Sequence, residues 1–235
     1  MALPKPSRPE YTATIPSTGK RIKYQPFSVK EEKVLILAAE SQDLDEVSNA
    51  IANVLSKCVT SPADFDVQNL ALFDIEFLFL RARAKSIGET IKLNITDPND
   101  ETYTVQHELD IDSIKVEKNK DHKDLIEVSE GCKIKMRYPG LEFFAEGLKV
   151  DNIQESTETV AKCVSQLVIG DEVYNRDDLT EAEIEEWLDD LTTAQYAKIM
   201  EFFVTMPKLR HTIKLKNKKT GEDFSTVLEG LADFF

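Results

Sequence analysis

The side chains in this chain that could hold a metal or move a proton are three cysteines, three histidines and 43 carboxylates. Cys58, Cys132 and Cys163 are odd in number, far apart and in no Cys-x-x-Cys pair, which is poor material for a disulfide framework or a zinc site. Reduced, structural thiols are the expectation. His107, His122 and His211 are equally scattered and read as surface or half-buried side chains rather than ligands. With so many acids, some pair falls within reach of a glycosidic bond by chance, so their abundance does not point to acid catalysis.

Two local patterns come closer to chemistry. Asp97, Asn99, Glu101 and Glu108 fall at ligand positions 1, 3, 5 and 12 of a helix-loop-helix calcium loop. Thr102 occupies the position that demands glycine, Val105 offers no ligand, and the flanks read as strands, so the stretch is expected to be a hairpin turn. Ser17-Thr18-Gly19-Lys20 lacks the preceding glycine a phosphate-binding loop needs. There is no Gly-x-Ser-x-Gly elbow, no His-Glu-x-x-His and no glycine-rich dinucleotide loop. No active site is expected, and with it no cofactor, no metal and no small-molecule substrate. Residues 177–190 hold eight acids and no base. They read as a solvated amphipathic helix with Leu179, Ile184, Trp187, Leu188 and Leu191 on its apolar side and Trp187 in the core, in preference to a docking surface for a basic partner.

What must position any of these residues is a chain of 235 residues, 41% hydrophobic, long enough to fill a sizeable core. A formal charge of −14 argues against tracking phosphates, so no nucleic acid is expected as a partner. No stretch approaches the roughly 20 apolar residues of a membrane span, and the N-terminus has no signal-peptide apolar core. Synthesis in a cytoplasm, with no membrane partner, is the expectation.

The chain repeats itself. Ser17, Gly19, Ile22 and Lys23 return as Ser129, Gly131, Ile134 and Lys135, each 112 residues later (129 − 17 = 112), and Arg21 faces Lys133. Thr90-Ile91-Lys92-Leu93 returns as Thr212-Ile213-Lys214-Leu215 at an offset of 122 (212 − 90 = 122). A duplicated module that gained about ten residues in its second copy accounts for both.

Met1 to Glu10, with Pro4, Pro6 and Pro9, is an extended arm, expected to fray in the isolated protein. Tyr11–Ile15 and Lys20–Tyr24 alternate around a Pro-Ser-Thr-Gly turn and form a hairpin. Ser28 and Glu31 have the form of a capping box opening a helix whose apolar run, Val34 to Ala39, should be buried on more than one side. A second helix carries Leu44, Val47, Ile51, Val54, Leu55 and Cys58 on one stripe. Leu72 to Lys85 is a third, with Arg81, Arg83 and Lys85 at its carboxyl end, where cations suit the helix dipole, and Gly88 closing it. Thr90–Thr96 and Glu101–Leu109 form a hairpin, and the charged Lys115–Lys123 reads as a connector. In the second copy, Asp124–Tyr138 is a hairpin, Leu141–Val150 is ambiguous, and Val160, Cys163, Val164 and Leu167 read as a helical stripe. Thr193–Thr205 is a helix ended by Pro207, and Leu209–Lys216 with Asp223–Leu228 closes the chain before Phe234-Phe235. The expected fold class is α+β: two similar modules from an internal duplication, each of β-hairpins covered by helices. Its parts are the arm 1–10, a first module 11–114, a connector 115–123 and a second module 124–235 with an acidic helical insertion.

The order of certain words resembles a known family. Leu-Pro-Lys at 3–5, Pro-Glu-Tyr at 9–11, Ile-Pro-Ser-Thr-Gly-Lys at 15–20, Ile-Lys-Tyr-Gln-Pro-Phe at 22–27, Val-Lys-Glu-Glu-Lys at 29–33 and Ala-Ala-Glu-Ser at 38–41 are similar to the opening of baseplate hub proteins of T4-like contractile-tailed bacteriophages. Leu72-Phe73-Asp74-Ile75-Glu76-Phe77-Leu78-Phe79-Leu80, followed by Arg83 to Glu89, resembles the same family. The resemblance implies a non-enzymatic protein, made in the infected bacterial cytoplasm, that builds the central hub through contacts with other hub or tail proteins. It is compatible with a subunit kept in the virion tail baseplate and with a transient assembly chaperone absent from the mature virion. A cell-wall-degrading enzyme is the third class. Lys20, Arg21 and Lys23, with Tyr24 and Phe27, form the expected contact face, and an exposed hairpin edge in each module offers main-chain groups to a partner strand.

Overall fold

In the computed structural model of the protein, residues 6–150 and 153–231 are described, the side chains of 153–155 apart. The first half of the proline-rich arm and Phe234-Phe235 lie outside the described residues. Strand β1 (Tyr11–Thr14) turns into β2 (Arg21–Tyr24) through Gly19, whose φ of +69° is a conformation that costs glycine little. Helices α1 (Val29–Ser41) and α2 (Leu44–Cys58) follow, then β3 (Val59–Ser61), α3 (Leu72–Ser86), the long hairpin β4 (Thr90–Asp97) and β5 (Asp100–Asp110), and β6 (Lys115–Glu117). The second half runs β7 (Leu125–Ser129), β8 (Cys132–Met136), α4 (Phe143–Glu146), α5 (Ile153–Lys162), β9 (Val164–Ile169), β10 (Glu172–Asn175), α6 (Glu181–Asp189), α7 (Thr193–Thr205), β11 (Lys208–Lys216) and β12 (Asp223–Glu229). The fold is mixed α+β, as the patterning predicts.

Sheet order explains why these elements hold. In the first half β2 lies between β1 and β3, all antiparallel. In the second half β8 lies between β7 and β9, and β10 extends the sheet beyond β9. The two arrangements correspond in detail. The register slips between Lys23 and Tyr24 where β2 meets β3, and between Lys135 and Met136 where β8 meets β9, 112 residues later. Just beyond each slip a main-chain N–H reaches the end of a helix: Gln25 N donates to Cys58 O at 2.8 Å, and Arg137 N to Cys163 O at 2.7 Å. Gly131 turns its hairpin with φ of +70°. Ile22 and Ile134 are both fully buried. The Thr-Ile-Lys-Leu words lie in β4 and β11, each the first strand of the hairpin that follows a long helix, with Ile91 and Ile213 buried.

The compact units do not follow the modules expected from the sequence. Among the described residues, 6–117 pack with 208–231, and Lys118–Pro207 belong to the second unit. The expected boundaries, 11–114 and 124–235, are corrected accordingly. The physical reason is an edge: β11 has β12 on one side and β6 on the other, through Lys208↔Glu117, Leu209↔Val116 and Arg210↔Lys115. Part of the expected connector is therefore a strand. In the first unit Ile15, Ile22, Leu55, Ile75, Leu78, Leu80, Ile111 and Ile114 are among the largest fully buried side chains. The second unit closes around Ile134, Val160, Cys163, Val164, Ile184, Ile199 and Phe202.

Three further expectations change. Val164 and Leu167 belong to β9 and not to a helical stripe, because α5 ends at Lys162 and the valine-rich run after it pairs with β8. The arm's described residues are fastened: Arg8 Nη1 donates to Pro26 O at 2.7 Å, and Glu10 accepts from Thr60 Oγ1 at 2.8 Å. Helix α1 is not buried on several sides. Only Ala38 is buried, while Val29, Ile36 and Leu37 are 67%, 50% and 66% exposed.

Candidate functional site

The five residues expected to form a contact face divide by strand periodicity. Along β2 the side chains alternate, so Ile22 and Tyr24 point inward while Arg21 and Lys23 point to solvent. Tyr24 is 2% exposed, and its ring lies 5.9 Å from that of Tyr11; burial raises the affinity of its phenol for its proton. Phe27 is buried too, stacked on Phe79 of α3 at 6.4 Å, and its N–H donates to Ser86 Oγ at 2.9 Å. These two aromatics fasten the first hairpin and are corrected from contact residues to core. Lys23 binds Glu10 at 2.9 Å, and this bond holds the Glu10 carboxyl below the usual glutamate range. Lys20 sits 6.0 Å from the centre of the Phe65 ring. Lys20 and Arg21 remain exposed at the mouth of the hairpin. The backbone of β2 is paired on both sides, so the open edge belongs to β1 and β3.

In the second unit the edge strands are β7 and β10, and β7 is guarded. Lys198 of α7 reaches over it, and its Nζ donates to Val128 O at 2.9 Å and Glu127 O at 3.3 Å, occupying carbonyls that a foreign strand would use. An open cleft of about 500 Å³ lies here, lined by Leu125, Ile126 and Phe202 among Lys123, Lys133 and Glu201. His122 stacks on Tyr138 at 5.5 Å, and burial lowers its affinity for a proton. Thr205 spends its hydroxyl proton on Glu201 O, which leaves it to accept from His122 Nδ1 at 2.9 Å; among the described residues the buried Nε2 has no hydrogen-bond partner.

Sequence reasoning missed the buried carboxylates. Asp74, fully buried in α3, accepts from Ser17 N at 2.9 Å and from the Ser17 hydroxyl, tying helix to hairpin turn. Glu76, 8% exposed, accepts from Leu231 N at 3.0 Å, and burial pushes its carboxyl up to about 7. Asp97, 3% exposed, accepts from Asn217 Nδ2 at 2.8 Å. The signal was present only in part: acids inside the apolar run Leu72–Leu80 fall on its buried side, but nothing in the spacing names their partners. All three carboxylates bind main-chain or amide N–H groups or a hydroxyl of the same unit, which is the work of structural anchors.

Among the described residues no three histidine, cysteine or carboxylate side chains converge as metal ligands. Cys58 and Cys163 are buried thiols, pushed up to about 11 and about 12 by loss of solvent, and Cys132 is half-buried. No described helix is long and apolar enough to cross a membrane. The surfaces left for function are the cationic mouth of the first hairpin, the edge strands and the apolar face of α1.

A family model described as T4 bacteriophage base plate protein matches residues 8–235 of the chain. No curated protein and no solved structure matches it.

Proposed function

The chain belongs to the T4 bacteriophage base plate protein family, and from that premise we propose that it acts, without catalysis, in assembling the central hub of the baseplate through contacts with other hub or tail proteins. The family match over nearly the whole chain carries the reading. The structure adds support: the buried polar groups of Asp74, Glu76 and Asp97 are committed to internal hydrogen bonds, and conspicuous apolar and cationic surface is left to partners. The site of action is the infected bacterial cytoplasm during assembly and then the virion tail baseplate.

The two halves are proposed to descend from one duplicated unit, on the strength of register slips and glycine turns 112 residues apart and of a matching strand-to-helix hydrogen bond just beyond each slip. Lys20 and Arg21 are proposed as the cationic part of a partner contact, since both are exposed where the chain as a whole carries a charge of −14. Mass spectrometry of purified virions tests the central reading, with the protein expected at fixed stoichiometry in tails. Its absence would reassign it to a transient assembly chaperone. Turnover of purified cell wall by the isolated chain, abolished by one carboxylate substitution, would overturn the non-catalytic reading. Charge reversal at Lys20 and Arg21 together is expected to weaken hub assembly, and unchanged assembly would remove these residues from the interface.

A further inference from the structure

Helix α1 presents solvent with a face that a solvated helix has no reason to carry. Val29, Ile36 and Leu37 are 67%, 50% and 66% exposed, and Leu44, at the start of α2, is 51% exposed. At about 100° per residue, Val29, Lys33, Ile36, Leu37 and Glu40 fall within one stripe about 100° wide. Its opposite side, with Ala38 buried and Glu31 and Leu35 half-buried, is the side turned to the rest of the unit. Lys33 and Glu40 are exposed and, among the described residues, form no ion pair within the chain. Other exposed large apolar residues, such as Val173, Val204 and Val227, are spread over separate elements, so α1 carries the run of them.

The stripe is complementary to itself. When a second α1 is laid antiparallel so that residue numbers across the seam sum to 73, Ile36 faces Leu37 and Leu37 faces Ile36. In the same register Lys33 faces Glu40, twice by symmetry. A parallel alignment sets Lys33 against Lys33 and loses both pairs. We infer that α1 is a self-association surface, through which two copies of this chain pair by a two-fold, antiparallel helix contact with Ile36 and Leu37 at its centre and reciprocal Lys33–Glu40 bridges at its ends. This inference goes beyond the baseplate reading and does not depend on it.

A helix of 13 residues is about 20 Å long and buries less than the roughly 1,200 Å² of a standard interface, so the dimer is weak, with a Kd of micromolar order or above. The whole chain should sediment as a concentration-dependent monomer–dimer mixture up to about 1 mM. Ile36→Asp with Leu37→Asp should leave it monomeric and still folded by circular dichroism, because both side chains are exposed. Lys33→Glu alone, or Glu40→Lys alone, should raise Kd about tenfold, and the two together should restore it. Three results would each overturn the inference: a monomer at every concentration, a dimer indifferent to Ile36→Asp with Leu37→Asp, or a double charge swap that fails to restore pairing. A monomer whose α1 instead captures another tail protein belongs to the first of these.

Discussion

Glu76 couples the interior of the first unit to pH. Burial raises its carboxyl from an ordinary 4.5 to about 7, against the opposing pull of the Leu231 N–H, and the nearby Glu229 adds to the rise. Between those two values the folded protein keeps a proton that the unfolded chain has released, so stability falls as pH rises through this window. The charged form costs at most roughly 3 kcal/mol once pH exceeds 7. Glu76→Gln keeps an oxygen for Leu231 N and cannot ionise. Its stability advantage over the parent should grow from near zero at pH 4 toward that figure at pH 8 in urea titrations, and parallel pH profiles for the two proteins would sink the assignment. That position 76 is acidic within an apolar run was legible in the sequence. That its partner is the N–H of Leu231, 155 residues away, was not, because a carboxylate in a helix carries no mark of which distant backbone will meet it.

At the scale of the element, local chemistry decided most boundaries. Helix α7 begins and ends where its pattern predicts, Thr193 to Thr205, because a complete capping box stands at its head. Thr192 N donates to Gln195 Oε1 at 2.8 Å and Gln195 N to Thr192 Oγ1 at 3.3 Å. Thr192→Ala should cost about 1 kcal/mol and Thr192→Ser almost nothing, read from thermal unfolding; equal losses would show that the cap is idle. The acidic stretch reads as one helix from 177, but the chain first makes a 3-10 turn at Arg176–Asp178, and α6 starts only after a capping box at Thr180 and Glu183. Its apolar side is as expected at Ile184 and Leu188, with Trp187 half-buried against the second unit's core. Helix α1 is more exposed than its pattern predicts because an apolar run states how much surface could be buried, and only the neighbours state how much is.

In the whole molecule, the closing hairpin β11–β12 completes the first compact unit although it lies at the far end of the chain. Asn217 is the joint that shows this: fully buried, it donates to Asp97 at 2.8 Å and accepts from Lys219 N at 2.8 Å. Asn217→Ala should cost about 2 kcal/mol by leaving Asp97 short of a donor. In hydrogen exchange the loss of protection should appear in β4, β5 and β11 and spare β7 to β9, and uniform loss would deny the division into units. The α+β class, the hairpins β1–β2, β4–β5, β7–β8 and β11–β12 and the capping box of α1 were legible in the sequence alone, because each is written in contacts within a few residues. The bracing of β11 by β6, the turning inward of Tyr24 and Phe27 and the exposure of α1 were decided only by tertiary structure. Each of these depends on which of several similar apolar faces and open strand edges meet, and residues far apart in the chain settle that together.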